Sequence, residues 1–171
     1  MDKLNEKIAE ILKQHPEGEE FFDALDAMLR GDMDILTHFL TFAESHIPDP
    51  KTKTLILTGQ FGIALMNIYG PKLREMFCDV ILVNGGIRTG AEPIIYREGL
   101  HAPSCIMFDD SFYSGITRDK IEEKLKAIHS GAHITATFVM YDGSLNIHQN
   151  VYSMFRYHSE KPLWQDDLVD I

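Results

Sequence analysis

Ser104-Cys105-Ile106-Met107-Phe108-Asp109-Asp110-Ser111-Phe112-Tyr113-Ser114-Gly115-Ile116-Thr117 is the stretch that decides the fold. Residues 104–108 form a short apolar run of the kind that makes a strand buried on both faces. Downstream, Ile121, Leu125 and Ile128 share one face of a predicted helix that stops near Gly131. Between strand and helix lies an acidic, then small and hydroxylated, loop over Asp109 to Thr117. In an open parallel sheet, ligands gather beyond the carboxyl ends of the strands, where such loops meet helix N-termini.

That loop carries chemistry of two kinds. Small residues entering a helix aim several backbone N–H groups at one anion, and the helix dipole favours negative charge there. Gly115 lets an anion approach the main chain, while Ser114 and Thr117 add hydroxyl donors. Asp109 and Asp110 do not suit the same anion. They suit vicinal hydroxyls, or a hard cation such as magnesium held directly or through water. The loop therefore fits a ligand with a phosphate at one end and a diol or metal at the other.

Working outward, the same texture of apolar runs and helical stretches extends from residue 50 to about 160. Strands are predicted at Lys53 to Thr58, Asp79 to Val83, Ser104 to Phe108 and His133 to Tyr141, with a weaker fifth at Val151 to Tyr157. The expected fold class is α/β, a mostly parallel, doubly wound sheet of about five strands. Ile47-Pro48-Asp49-Pro50 marks the joint with residues 1–49, because each proline removes a donor and biases its predecessor toward extended geometry. Upstream of it, Leu4, Ile8, Ile11 and Leu12 share one helical stripe, Phe22, Leu25, Met28 and Leu29 a second, and Ile35, Leu36, Phe39 and Leu40 a third, after a stop at Gly31 and a cap at Asp32 or Asp34. This helical layer is expected to act as a hood, with 161–171 as a tail, the whole forming one compact domain.

Composition narrows the partners. The 171 residues, 44% hydrophobic, suffice for one well-filled domain. A formal net charge of −10, from 26 acidic against 16 basic residues, argues against nucleic acid. No apolar run is long enough to cross a bilayer, and Met1-Asp2-Lys3-Leu4-Asn5-Glu6 lacks the layout of a secretory signal, so a cytoplasmic location is expected. Cys78 and Cys105 border apolar runs and read as reduced, partly buried thiols, and the eight histidines show no close metal-ligand spacing.

The segment Cys105 to Thr117 resembles the phosphoribosyl pyrophosphate signature of type I phosphoribosyltransferases: apolar strand residues, two acids, three variable positions, then threonine or serine, glycine, any residue and threonine. In element order the resemblance covers Lys53 to Tyr157. It implies an N-terminal hood over a phosphoribosyltransferase-like core, commonly dimeric, in which Asp109 and Asp110 hold ribose hydroxyls and magnesium while Tyr113, Ser114, Gly115, Ile116 and Thr117 cradle the 5-phosphate. The reaction implied is magnesium-dependent transfer of the phosphoribosyl group from phosphoribosyl pyrophosphate to a nucleobase or similar nitrogen nucleophile, releasing pyrophosphate. A non-catalytic regulatory protein of the same fold, binding phosphoribosyl pyrophosphate or a nucleotide, is the alternative.

Further elements are placed by the same resemblance. Thr58-Gly59-Gln60-Phe61-Gly62 stands where the family has its pyrophosphate-binding loop, but the basic residue common there is absent, and the glycines equally suit a tight turn without ligand. Asn84 to Pro103 stands where the family has a mobile loop; its Arg88 and Arg97 are candidates to stabilise departing pyrophosphate, or are ordinary solvated loop arginines. Trp164 is a candidate for stacking on the base, or for packing the tail on the core. Tyr113 departs from several 6-oxopurine enzymes, which carry an aspartate at that signature position, and argues against that subgroup.

Overall fold

The computed structural model describes residues 6–7, 10–11, 13–14, 18–144 and 146–156. Leu4, Ile8, Leu12, Tyr157 and Trp164 lie outside the described residues.

Helix α1 (Gly18–Gly31) buries Leu25 and Leu29. Asp32 caps the next helix, α2 (Met33–His46), its carboxylate accepting from the N–H groups of Asp34 and Ile35 at 3.0 and 3.2 Å. Such a cap satisfies donors that the first turn leaves unpaired. After the proline joint, β1 (Thr54–Thr58) leads straight into α3 (Gly59–Met76), and β2 (Asp79–Val83) follows. Residues 84–103 contain neither helix nor strand. Then come β3 (Ser104–Phe112), α4 (Ile116–Ile128), β4 (His133–Asp142) and β5 (Val151–Arg156).

The five strands lie in the order β2-β1-β3-β4-β5, and every pairing is parallel. From β1 the chain goes outward to β2 and then returns to β3 on the other side of β1. The strand order therefore reverses between β1 and β3, the position at which open α/β sheets form their ligand crevice. From β4 the chain returns to β5, whose Val151 pairs with Thr137, and the described residues between 143 and 150 contain no helix.

Both faces of the sheet are covered, which is why its strands read as unbroken apolar runs. Leu55, Leu57, Ile106, Phe108, Phe138 and Met140 pack under α1, α2 and α3. Ile56, Ile81, Val83, Cys105 and Met107 pack under Ile121 and Leu125 of α4 and under Ile87 from the long connection. Here α1 and α2 share the layer of α3: Phe39 meets Phe61 and Phe108 edge-on at 5.1 and 5.2 Å. Cys78 is exposed, Cys105 is buried, and both are free.

Two expectations change. First, β3 does not stop at Phe108. Its pairing with β1 ends there, but its ladder with β4 continues through Asp109, Ser111 and Phe112. A strand with a partner on one side only has an open edge, so Asp109 and Asp110 sit on a projecting strand end rather than in a loop. Second, Thr58 to Gly62 is not a turn, because α3 begins at Gly59. A Cβ at Gly62 would lie 2.8 Å from the carbonyl carbon of Leu57, so this glycine serves helix-on-strand packing.

Candidate functional site

A cleft of about 240 Å³ opens at the carboxyl ends of β1, β2 and β3. Its floor includes Met107 and the projecting end of β3, and its walls come from α1, the start of α3, residues 84–89 and the start of α4.

On one wall, Ser114 to Arg118 turn from β3 into α4. Gly115 has φ +82 and ψ 0, left-handed backbone that side chains rarely adopt, and a Cβ there would lie 3.3 Å from the Phe112 ring and the Arg118 guanidinium. Its carbonyl accepts the N–H of Asp119 at 2.9 Å and so starts the helix. The earlier N–H groups of a first turn have no intrahelical acceptor, and with the dipole they form an anion cradle. Arg118 adds a cation, its guanidinium 5.4 Å from the Phe112 ring centroid and 3.1 Å from Asp119. Gly115→Ala is expected to cost about 1–2 kcal/mol from the left-handed backbone alone. A lower urea midpoint at unchanged m checks this.

The acids occupy the projecting strand end. The Asp109 carboxylate accepts the Asp110 N–H at 2.9 Å. Burial, and then the negative charge of Asp110, push its carboxyl well above the ordinary range, with the Thr58 hydroxyl opposing. Asp110 is held by the Arg30 guanidinium at 3.0 Å and by the Ser111 hydroxyl at 3.1 Å. A third acid, Asp26, stands one turn before Arg30 on α1 and also faces the cleft. Burial first, then Asp110, raise its carboxyl to about 7, while Arg30 and Arg88 pull the other way. Its Oδ1 is buried with no hydrogen-bond partner.

Of the two loop arginines, Arg88 reaches the cleft, its guanidinium 4.6 Å from the Tyr113 ring centroid. Arg97 does not. It pairs at 2.5 Å with Asp79, the first residue of β2, at the opposite end of the strands. The Asn84 side chain donates to the Glu92 carbonyl and accepts the Ile94 N–H, tying the base of the connection, and Ile87 anchors it in the core.

Of the five residues at the end of β1, Thr58, Gly59 and Gln60 line the cleft. Phe61 is fully buried in the core, and Gly62 faces Leu57. Gly59 has φ +54, and a Cβ on it would lie 3.4 Å from the Gly85 Cα, so its missing side chain admits the neighbouring connection. Trp164 lies outside the described residues.

Sequence reasoning missed Asp26, Arg30 and Arg118. The first two sit beside the buried Leu25 and Leu29 on an ordinary amphipathic helix and carry no local mark. Arg118 directly follows the loop, and its first-turn position was the available signal.

The cleft thus sets the cations Arg30, Arg88 and Arg118 against the acids Asp26, Asp109 and Asp110, beside a helix N-terminus. Among the described residues, no three His, Cys, Asp or Glu side chains form a metal-holding group. Also among the described residues, no helix is long and apolar enough to cross a membrane.

No family model and no curated protein matches this chain. Solved structures do. A purine phosphoribosyltransferase from Pyrococcus horikoshii superposes with a TM-score of 0.54 at 14% identity, over 74% of this chain and 85% of that one. An adenine phosphoribosyltransferase from Thermoanaerobacter pseudethanolicus gives 0.47 at 12% identity, over 78% and 86%. The xanthine-guanine-hypoxanthine phosphoribosyltransferase of Helicobacter pylori gives 0.46 at 10%, over 71% and 83%. The fold is that of the Pyrococcus protein: a five-stranded parallel sheet with flanking helices.

Proposed function

We propose that the chain binds phosphoribosyl pyrophosphate and transfers its phosphoribosyl group to a nitrogen nucleophile of the nucleobase class, releasing pyrophosphate. The observation that carries this reading is the meeting, in one cleft at the β1/β3 reversal, of an anion cradle at the start of α4 and an acid pair on the open end of β3. A phosphate bound at Ser114 to Thr117 leaves a neighbouring ribose within the domain of Asp109 and Asp110, whose oxygens accept from vicinal hydroxyls.

In this reading Asp109 and Asp110 are the residues that would hold magnesium through water, and the ion would supply charge neutralisation for the pyrophosphate. Arg88 is the loop cation for the leaving group, and the backbone of Thr58 to Gln60 flanks it. The protein's contribution is positioning, together with fixed charge placed where charge develops as the glycosidic bond opens.

Pyrophosphate release, assayed with magnesium, phosphoribosyl pyrophosphate and a panel of bases, tests turnover. Release that depends on one base is expected. The absence of a basic residue at Thr58 to Gln60 favours a second reading, a regulatory module that binds the ligand without turnover. Saturable binding with no release for any base would select it.

A further inference from the structure

The acceptor must lose a proton as its nitrogen bonds to the sugar, and the cleft has few groups able to take it. Tyr113 is unsuited: burial, and then the charge of Asp26, push its phenol up, so it does not ionise near neutral pH. Asp110 is engaged by Arg30 and Ser111. Asp109 sits on the strand beside Thr58, its carboxylate turned back to the Asp110 N–H. Asp26 remains. It comes from α1, lines the same cleft, and has a buried carboxylate oxygen to which, among the described residues, no group donates. A buried acceptor oxygen with no donor among the described residues is suited to a donor brought by a ligand.

We propose, on the basis of the transferase reading above, that Asp26 is the catalytic residue that takes the proton of the acceptor's ring N–H. In the step, the ring nitrogen's electron pair forms the bond to the anomeric carbon. The bond from that carbon to pyrophosphate breaks, pyrophosphate leaves with the electron pair, and the N–H proton passes to the Asp26 carboxylate. The substrate class follows: a planar heterocycle that presents a ring N–H, received beside the Tyr113 ring over which Arg88 lies.

The charged and titratable groups acting on Asp26 are Asp23 and Arg30 of its own helix, Asp110 of β3, Arg88 of the long connection and Tyr113 of the β3–α4 loop. Burial leads, so the carboxyl lies near 7 and the base form is lost as pH falls through that value. Turnover by the wild type is therefore expected to rise with pH and level off above about 7.

The test compares wild type, Asp26→Asn and Asp26→Glu with the base that supports turnover, each also titrated with phosphoribosyl pyrophosphate and magnesium. Asparagine still accepts a hydrogen bond but not a proton. Asp26→Asn is expected to bind phosphoribosyl pyrophosphate no more weakly than wild type, to lose about 10²–10⁴ in kcat with a smaller change in KM, and to lose the acid limb of the pH profile. Asp26→Glu is expected to restore part of the rate and a shifted limb. Asp26→Asn turning over with the wild-type rate and limb overturns the proposal, as does loss of phosphoribosyl pyrophosphate binding in that variant, which marks a structural role. A wild type that binds no phosphoribosyl pyrophosphate instead overturns the transferase reading itself.

Discussion

Replacing Asp109 and Asp110 together by asparagine is expected to weaken phosphoribosyl pyrophosphate binding at least about a hundredfold, because each carboxylate's hydrogen bonds to hydroxyls contribute about 1.5–3 kcal/mol. The loss should come without unfolding. Asp109 has a carboxyl raised by burial and by Asp110, so its contribution to stability is present at low pH and lost as pH rises through the folded value. Asparagine has no charge to desolvate, which offsets the lost contact between Asp110 and the half-buried Arg30. Calorimetric titration at pH 8, beside a thermal melt of the same sample, separates the outcomes. Unchanged affinity would refute the roles given to the pair.

Phe108→Ala is expected to cost about 3–5 kcal/mol, the largest stability loss of any single change considered. Phe108 is fully buried, and its ring stands edge-on to Phe39 of α2 at 5.2 Å, Phe77 after α3 at 6.1 Å and Phe138 of β4 at 5.8 Å. Edge-to-face pairs of this kind contribute beyond their buried area. This one side chain ties the helical layer to the strand whose next residue is Asp109. Phe108→Leu conserves more volume and is expected to cost less. Guanidinium unfolding of both variants checks the order, and an alanine variant as stable as the leucine one would contradict this account of the core.

Much of the fold was legible because strands covered on both faces leave continuous apolar runs. The bounds of β2, Asp79–Val83, follow from sequence alone, and the predicted β1 and β4 fall within a residue of those observed. The end of β3 was not legible, because Asp109, Asp110 and Ser111 are polar and pair on one side only, a pattern that reads as loop. The start of α3 was misread for a related reason: a glycine that admits a neighbouring chain looks the same in sequence as one that admits an anion, and Gly62 is of the first kind.

The site divides along similar lines. Its β3–α4 half is contiguous, so Asp109 to Thr117 were found together. Its other half is assembled across long separations: Arg30 meets Asp110 from 80 residues away, and no local periodicity records such a meeting. Likewise, nothing in the long connection distinguishes Arg88, which enters the cleft, from Arg97, which turns to Asp79; the buried Ile87 beside Arg88 makes the difference.

The central claim, that this cleft holds phosphoribosyl pyrophosphate, is tested most directly by isothermal titration of the full chain with that ligand and magnesium. Saturable single-site binding tighter than about 1 mM, weakened when magnesium is withheld, is the expected result. Absence of binding at millimolar ligand would contradict it.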